Sequence, residues 1–558
     1  MIRLFDTHKV RKQKELEGLW RFVKEDGKEY QLPVPGCWEQ HPEMRNYRGM
    51  GTYYKTVEVT EDCNVRLEFK GVSHTGDVYF DGEKVAHHYN AFTPFSTVVK
   101  NVKKGAHEIK VLVDNRFSEA SSLHVPNDYY TYGGLTRPVA LEELGDVYIQ
   151  NVHFLPAFVD GKWQATITVK VENLSEKEKN ATVKVNLAGV AAEKGVHLAA
   201  GESTEVVLTE QYKDVKEWNV GQPNLYYLEA RLLHEGILED DFIDRVGFRQ
   251  VTLEGRRIKI NGKSVFLKGF NRHEDYAKIG CAIPVQLMVQ DMDLMQELGS
   301  NAVRTCHYPN DERFLDLCDE RGMMVWEENH ARGFDLKKMQ NPNFDQQCED
   351  CIAEMIENHY NHPAIVIWGI LNECASETPE GREKYKRQYE QIKSLDTSRP
   401  TTSATCRHFT DICLDLPDVV SFNIYSGWYQ DISVKERHEQ EMDWIETTGG
   451  AGKPVIVSEF GAGAIFGNRD RTRAKWSEER QVDVLRENLE VYEADERLSG
   501  TFIWQFADCR VTEEEWFAVR PRSYNNKGVV DEYRRPKESF DLVKEFFPRM
   551  GVKEESNE

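Results

Sequence analysis

Residues 364–376 read AIVIWGILNECAS, and residues 454–463 read PVIVSEFGAG. Each is a β-branched apolar run that stops at a glutamate, Glu373 in the first and Glu459 in the second. Runs of Val and Ile with almost no polar interruption belong to strands buried on both faces, the pattern of a parallel sheet covered by helices. Six further strand-like runs accompany them, with SVFLKGFN, SNAVRTCHY and MMVWEEN before them, PTTSATC and VVSFNIY between them, and GTFIWQFAD after them. Amphipathic segments such as PVQLMVQDMDLMQELG and DERFLDLCDERG separate the runs, with apolar residues recurring at three and four. Eight strands alternating with helices over about 300 residues predict a closed (β/α)8 TIM barrel across residues 253–558.

Upstream of the barrel the rhythm is different. From Leu16 to about Glu143 short alternating strands such as GTYYKTVEV, VRLEFKGV and HEIKVLVDN follow one another, with helical periodicity nearly absent. An antiparallel jelly-roll β-sandwich over residues 1–145 accounts for that pattern. Asp81-Gly82, between two strand-like runs, marks a tight hairpin. Residues 146–252 repeat the alternation on a smaller scale, predicting an immunoglobulin-like β-sandwich with no cluster that points to chemistry. The terminal KEESNE reads as a frayed tail.

Composition narrows the partners. A net charge of -23 opposes nucleic acid and anionic membranes, which need basic surface, and leaves a small ligand as the expected partner. The opening MIRLFDTHKVRKQKELEGLW is too polar for a signal peptide, and no apolar run reaches membrane-spanning length. Eleven cysteines without paired spacing predict reduced thiols and a cytoplasmic location. Cys348 and Cys351 form a single CxxC in a helix-like stretch with no second pair, so neither a metal nor a cofactor is expected. A homo-oligomer is the expected assembly.

The C-terminal lip of barrel strands is where such folds keep their chemistry. Two carboxylates on two strands of one barrel fit a general acid and a nucleophile facing one substrate, where a single glutamate could as well begin a loop and point into water. Asn372 before one, and Gly461 and Gly463 after the other, describe a shaped floor. Further candidates share the rim: Asn271, Arg272 and His273 after the first strand, His307 and Tyr308 after the second, Asn423 and Tyr425 after the sixth, Trp504 and Asp508 near the eighth. Aromatic faces beside hydrogen-bonding groups suit a sugar ring, whose C–H faces are apolar and whose edge is hydroxyls.

Four stretches carry a resemblance over nearly the whole chain: GFNRHED from Gly269, RTCHYP from Arg304, NHPAIVIWGILNE and PVIVSEFG. The chain resembles glycoside hydrolase family 2, in which a jelly-roll sugar-binding domain and an immunoglobulin-like domain precede a barrel. The resemblance implies that Glu373 is the acid/base and Glu459 the nucleophile of a two-carboxylate double displacement. Within that family the chain is similar to bacterial β-glucuronidases, which carry Asn-x-Lys after the last barrel strand, here Asn525-Asn526-Lys527. An ammonium and an amide suit the ionised carboxylate of a glucuronide, for which a neutral sugar has no counterpart. The same similarity implies sugar contacts for Asp128, reaching across from the first domain, and for His273, Asn372, Asn423, Tyr425, Tyr429 and Trp504. Arg520 and Arg522 are either a second cation for the carboxylate or surface arginines.

Three departures stand out: Ile424 and Ser426 replace bulkier residues, about four extra residues precede the Asn-x-Lys, and the loop after Gly333 is short. The short loop bears on the aglycone. The expected activity is exo-hydrolysis of β-D-glucuronides or of a short glucuronate-terminated glycan. A β-galacturonidase or β-galactosidase of the same family, and a non-catalytic carbohydrate-binding protein, are the alternatives.

Overall fold

The computed structural model describes residues 2–551, so the KEESNE tail lies outside the described residues. All eight expected runs are barrel strands, in order: β1 Leu267–Arg272, β2 Ala302–Thr305, β3 Met324–Glu328, β4 Ile365–Ile370, β5 Thr401–Thr405, β6 Val419–Asn423, β7 Val455–Phe460 and β8 Leu498–Ile503. They pair in parallel around a closed ring. Every residue of β4 and β7 is buried, as strands between a barrel interior and a helical shell must be. Helices such as Val285–Glu297, Phe344–His359 and Glu478–Ala494 form that shell. The alternation has one gap among the described residues: the link from β5 to β6, residues 406–418, carries no helix. Its sequence, CRHFTDICLDLPD, turns rather than winds.

Two antiparallel sheets of four and six strands build the first sandwich, from Lys12–Glu15 to Val139–Leu144. Trp20, Phe22, Trp38 and Tyr53 pack between them, all fully buried. The Asp81-Gly82 hairpin is present, and both residues sit at positive φ (48° and 85°), as a two-residue turn between twisted strands requires. Sheets of three and four strands between Val147–Val159 and Ile237–Val246 make the second sandwich. The N-terminal segment ties the three units together. Arg11 pairs with Asp240 and Glu142, and Arg3 pairs with Asp316 on the helix Glu312–Arg321. Each of these is buried, so the cost of desolvating the charges is met by multiple hydrogen bonds at each guanidinium.

Candidate active site

Glu459 stands on β7 and is 2% exposed. Its Oε1 accepts from Arg304 Nη1 at 3.0 Å and its Oε2 from the Tyr425 hydroxyl at 2.7 Å. Arg304 reaches it from β2 across the barrel floor. That guanidinium is fully buried and spends its donors completely: on both oxygens of Glu328 at 2.9 Å, on Asn271 Oδ1 at 2.9 Å and on Asn372 Oδ1 at 2.8 Å. Planar, fixed donors of this kind hold an acceptor in one orientation. Asn423 lies beside Glu459 in register and donates to Glu373 Oε1 at 3.0 Å. One residue thus pairs with Glu459 through its strand and holds Glu373 through its side chain.

Glu373 lies three residues beyond β4, at φ +54°. A non-glycine residue in that region costs of order 1 kcal/mol and persists where its surroundings over-determine it. Here its backbone N–H is held by the Ala404 carbonyl at 2.8 Å. Its Oε2 is 3.6 Å from Arg332 Nη2, and Arg332 in turn donates to Asn127 of the first sandwich at 3.0 Å. Burial pushes the Glu459 carboxyl up to about 7, the Glu373 charge adds to the rise, and Arg304, the Tyr425 hydroxyl and Arg332 oppose it.

A cavity of about 360 Å³ opens over both glutamates. Asn423, Tyr425 and Trp504 line it, together with Asp128, Tyr429, Arg520 and Lys527. Lys527 is 2% exposed. Its Nζ donates to the Tyr429 hydroxyl at 2.8 Å, and it forms no ion pair among the described residues. Burial lowers its pKa, with the neighbouring Arg520 charge adding to the effect. Arg520 has its counter-charge: Asp128 accepts from it at 2.9 and 2.5 Å. Burial opposes ionisation of Tyr429, but Lys527 and Arg520 together win and lower its pKa.

The other expected contacts sit one layer back. Asn372 faces Arg304 and Asn423, and its Nδ2 is buried without a protein partner. Asn525 donates to Asp128 at 3.0 Å. His273 packs edge-on against Trp504 at 5.4 Å and takes the Tyr308 hydroxyl at Nδ1, its Nε2 unpartnered. Two rim candidates are structural. Asp508 is buried against Lys537 at 2.7 Å, and Arg272 against Asp291 and Asn310. Of the two arginines before the Asn-x-Lys, Arg520 enters the cavity and Arg522 pairs with Glu532. Arg332 and Trp516 also line it and were not among the expected residues. Arg332 ends MMVWEENHAR, so extending the rim argument to the third strand would have found it. Trp516 sits in the insertion before the Asn-x-Lys, where no periodicity points to it.

Two buried groups bring metal-type donors together: His273, Cys306 and His307, and Asp316, Asp319 and His362. In each the charge is already occupied. Arg304 Nη2 lies 3.5 Å from His307 and opposes a cation there, while Arg3 pairs with Asp316 and His362 Nδ1 is hydrogen-bonded to Asp319 at 2.5 Å. Cys348 and Cys351 are buried in the helix Phe344–His359, and burial raises both thiols.

Residues 251–552 match the model for the TIM barrel domain of glycosyl hydrolases family 2. The chain is a family 2 glycoside hydrolase. Residues 147–249 and 26–144 match that family's middle domain and its sugar binding domain. Among solved structures, this hydrolase is similar to a GH2 β-galacturonidase from Eisenbergiella tayi bound to galacturonate, at 49% identity and a TM-score of 0.96, over 99% of this chain and 100% of that one. It is also similar to a β-D-glucuronidase from Dictyoglomus thermophilum, at 27% identity and a TM-score of 0.84, over 98% of each chain. A β-glucuronidase of Paenibacillus borealis is 28% identical over 97% of this chain and 98% of its own.

Proposed function

We propose that this hydrolase is an exo-acting, retaining β-D-uronidase that releases a terminal hexuronic acid, β-D-galacturonides ahead of β-D-glucuronides. The observation that carries this reading is Lys527, a buried cation in the cavity lining whose hydrogen-bond partner is a hydroxyl and which forms no ion pair among the described residues, the nearby Asp128 charge being already bound by Arg520. Burying an ammonium without an anion is costly, and a ligand carboxylate removes that cost. A neutral glycoside does not. Asp128 and Arg520, joined by two hydrogen bonds, wall the cavity beside Lys527, which supports action on a chain end. Glucuronate and galacturonate differ at C4 alone and share the carboxylate. The likeness to the Eisenbergiella tayi β-galacturonidase puts galacturonides first, and the glucuronidase relatives support glucuronides, the reading expected from sequence, as the second. Eleven free thiols support a reducing, cytoplasmic setting.

In this reading Glu459, its charge held by Arg304 and Tyr425, attacks the anomeric carbon while Glu373 protonates the departing oxygen. Glu373 then takes a proton from water, which releases the uronic acid from Glu459. The working form carries one proton on the pair, and coupled carboxylates titrate together. With the upper step placed near 7 by the Glu459 environment, kcat/KM is expected to fall about tenfold per pH unit well above that point. A flat profile from pH 6 to 9 would contradict it.

Hydrolysis of p-nitrophenyl β-D-galacturonide, glucuronide and galactoside tests the proposal. Both uronides are expected to exceed the galactoside by about a hundredfold or more in kcat/KM, the worth of one desolvated charge pair. A galactoside turned over as well as the uronides would overturn it. Glycan binding with no turnover of any of the three would favour a carbohydrate-binding protein.

A further inference from the structure

On the Glu373 side of the active site lies a second cavity, of about 210 Å³. It shares Arg332, Glu373, Cys406 and Trp516 with the first and contains neither Glu459 nor Lys527. Glu373 therefore stands in the partition between two spaces. An acid that hands its proton to a departing oxygen has the sugar on one side and the leaving group on the other. A group departing on the far side of Glu373 would enter the second cavity.

Its walls have a definite chemistry. Trp516, from the loop after β8, is 52% exposed, and its ring rests on buried Phe517 at 4.2 Å. An exposed indole held by a buried neighbour is a platform for the apolar face of a sugar. Lys338, on the short helix Leu336–Met339, lines the same space and forms no ion pair among the described residues. Arg407 lies there too, 3.2 Å from Glu377. With Arg332, three cations line the space against two carboxylates, Glu373 and Glu515. A neutral aromatic aglycone would use Trp516 and leave Lys338 unmatched. A sugar acid would use both.

We infer that this cavity is a leaving-group subsite for a second acidic sugar, so that the substrate is an oligosaccharide with a uronate next to the terminal uronic acid. The inference rests on the β-uronidase reading above. It makes Lys338 and Trp516 determinants of the substrate class, outside the chemistry itself.

Three substrates with one terminal uronic acid test it: the p-nitrophenyl glycoside, a disaccharide whose reducing sugar is a uronate, and the matching disaccharide with a neutral hexose. On the unmodified protein, the acidic disaccharide is expected to exceed the neutral one severalfold in kcat/KM. Lys338→Glu turns attraction into repulsion and is expected to cost the acidic disaccharide about tenfold, leaving the p-nitrophenyl glycoside within about twofold. Equal rates on the two disaccharides, or an equal fall on all three substrates in the variant, would overturn the subsite. Failure of the uronidase reading looks different: the p-nitrophenyl uronides are then not cleaved by the unmodified protein.

Discussion

Glu459→Gln is expected to lower kcat at least a thousandfold with little change in thermal stability. The amide keeps an oxygen that can accept from Arg304 and nearly the same volume, so the floor of the barrel stays packed. Arg304 retains Glu328 as its counter-charge, and no cation is orphaned. What disappears is the nucleophile, and losing a nucleophile costs orders of magnitude where other polar changes nearby cost tens. Turnover and a melting curve on the same preparation check it. Activity above about a thousandth of the original, in a protein that melts normally, would mean that another group attacks the sugar.

Lys527→Met is the second large expectation, and it separates specificity from chemistry. The variant is expected to lose about a hundredfold or more in kcat/KM on uronides, the scale of one buried charge-assisted pair. Its rate on the neutral galactoside is expected to stay within about threefold. Stability is expected to hold or to rise, because an ammonium 2% exposed and without an ion pair of its own is itself unfavourable in the unliganded protein. The same three nitrophenyl substrates and a melting curve read out both halves. An equal loss on uronides and galactoside would show that Lys527 supports the site as a whole and does not read the carboxylate.

The parts of this molecule that were legible in the sequence are those where one physical pressure acts alone. A strand buried on both faces favours Val and Ile, so β4, β6 and β7 announced themselves, and Glu373 and Glu459 stood out because each follows or ends such a run, whereas β5, TTSAT, was legible only by its place in the alternation. The Asp81-Gly82 turn was legible because both positions need positive φ. Less was readable where pressures compete. Arg304 lay inside the quoted RTCHYP but carried no assigned role, since nothing in a linear pattern says that a strand arginine will point into the barrel and bind four partners. Asp508 looked like a rim residue, and its partner Lys537 lies 29 positions away, a pairing created by the long excursion after β8. Trp516 lies on that same excursion, which has neither strand nor helix period, and Arg520, there too, was left open between a second cation and a surface arginine. Asn372, Asn525 and His273 were found by type and place, but whether a side chain faces the cavity or braces one that does depends on angles of a few tens of degrees, which residue identity does not encode.

The claim on which the account rests is that one uronate spans Glu459 and Lys527 at the same time. A crystal structure of the protein after reaction with a 2-deoxy-2-fluoro-β-uronosyl fluoride, which arrests the covalent intermediate, measures both ends of that span. The expected result is an ester from C1 to a Glu459 carboxylate oxygen, with the C6 carboxylate within hydrogen-bond distance of Lys527 Nζ. A C1 adduct on any other side chain, or a C6 carboxylate directed away from Lys527, would contradict it.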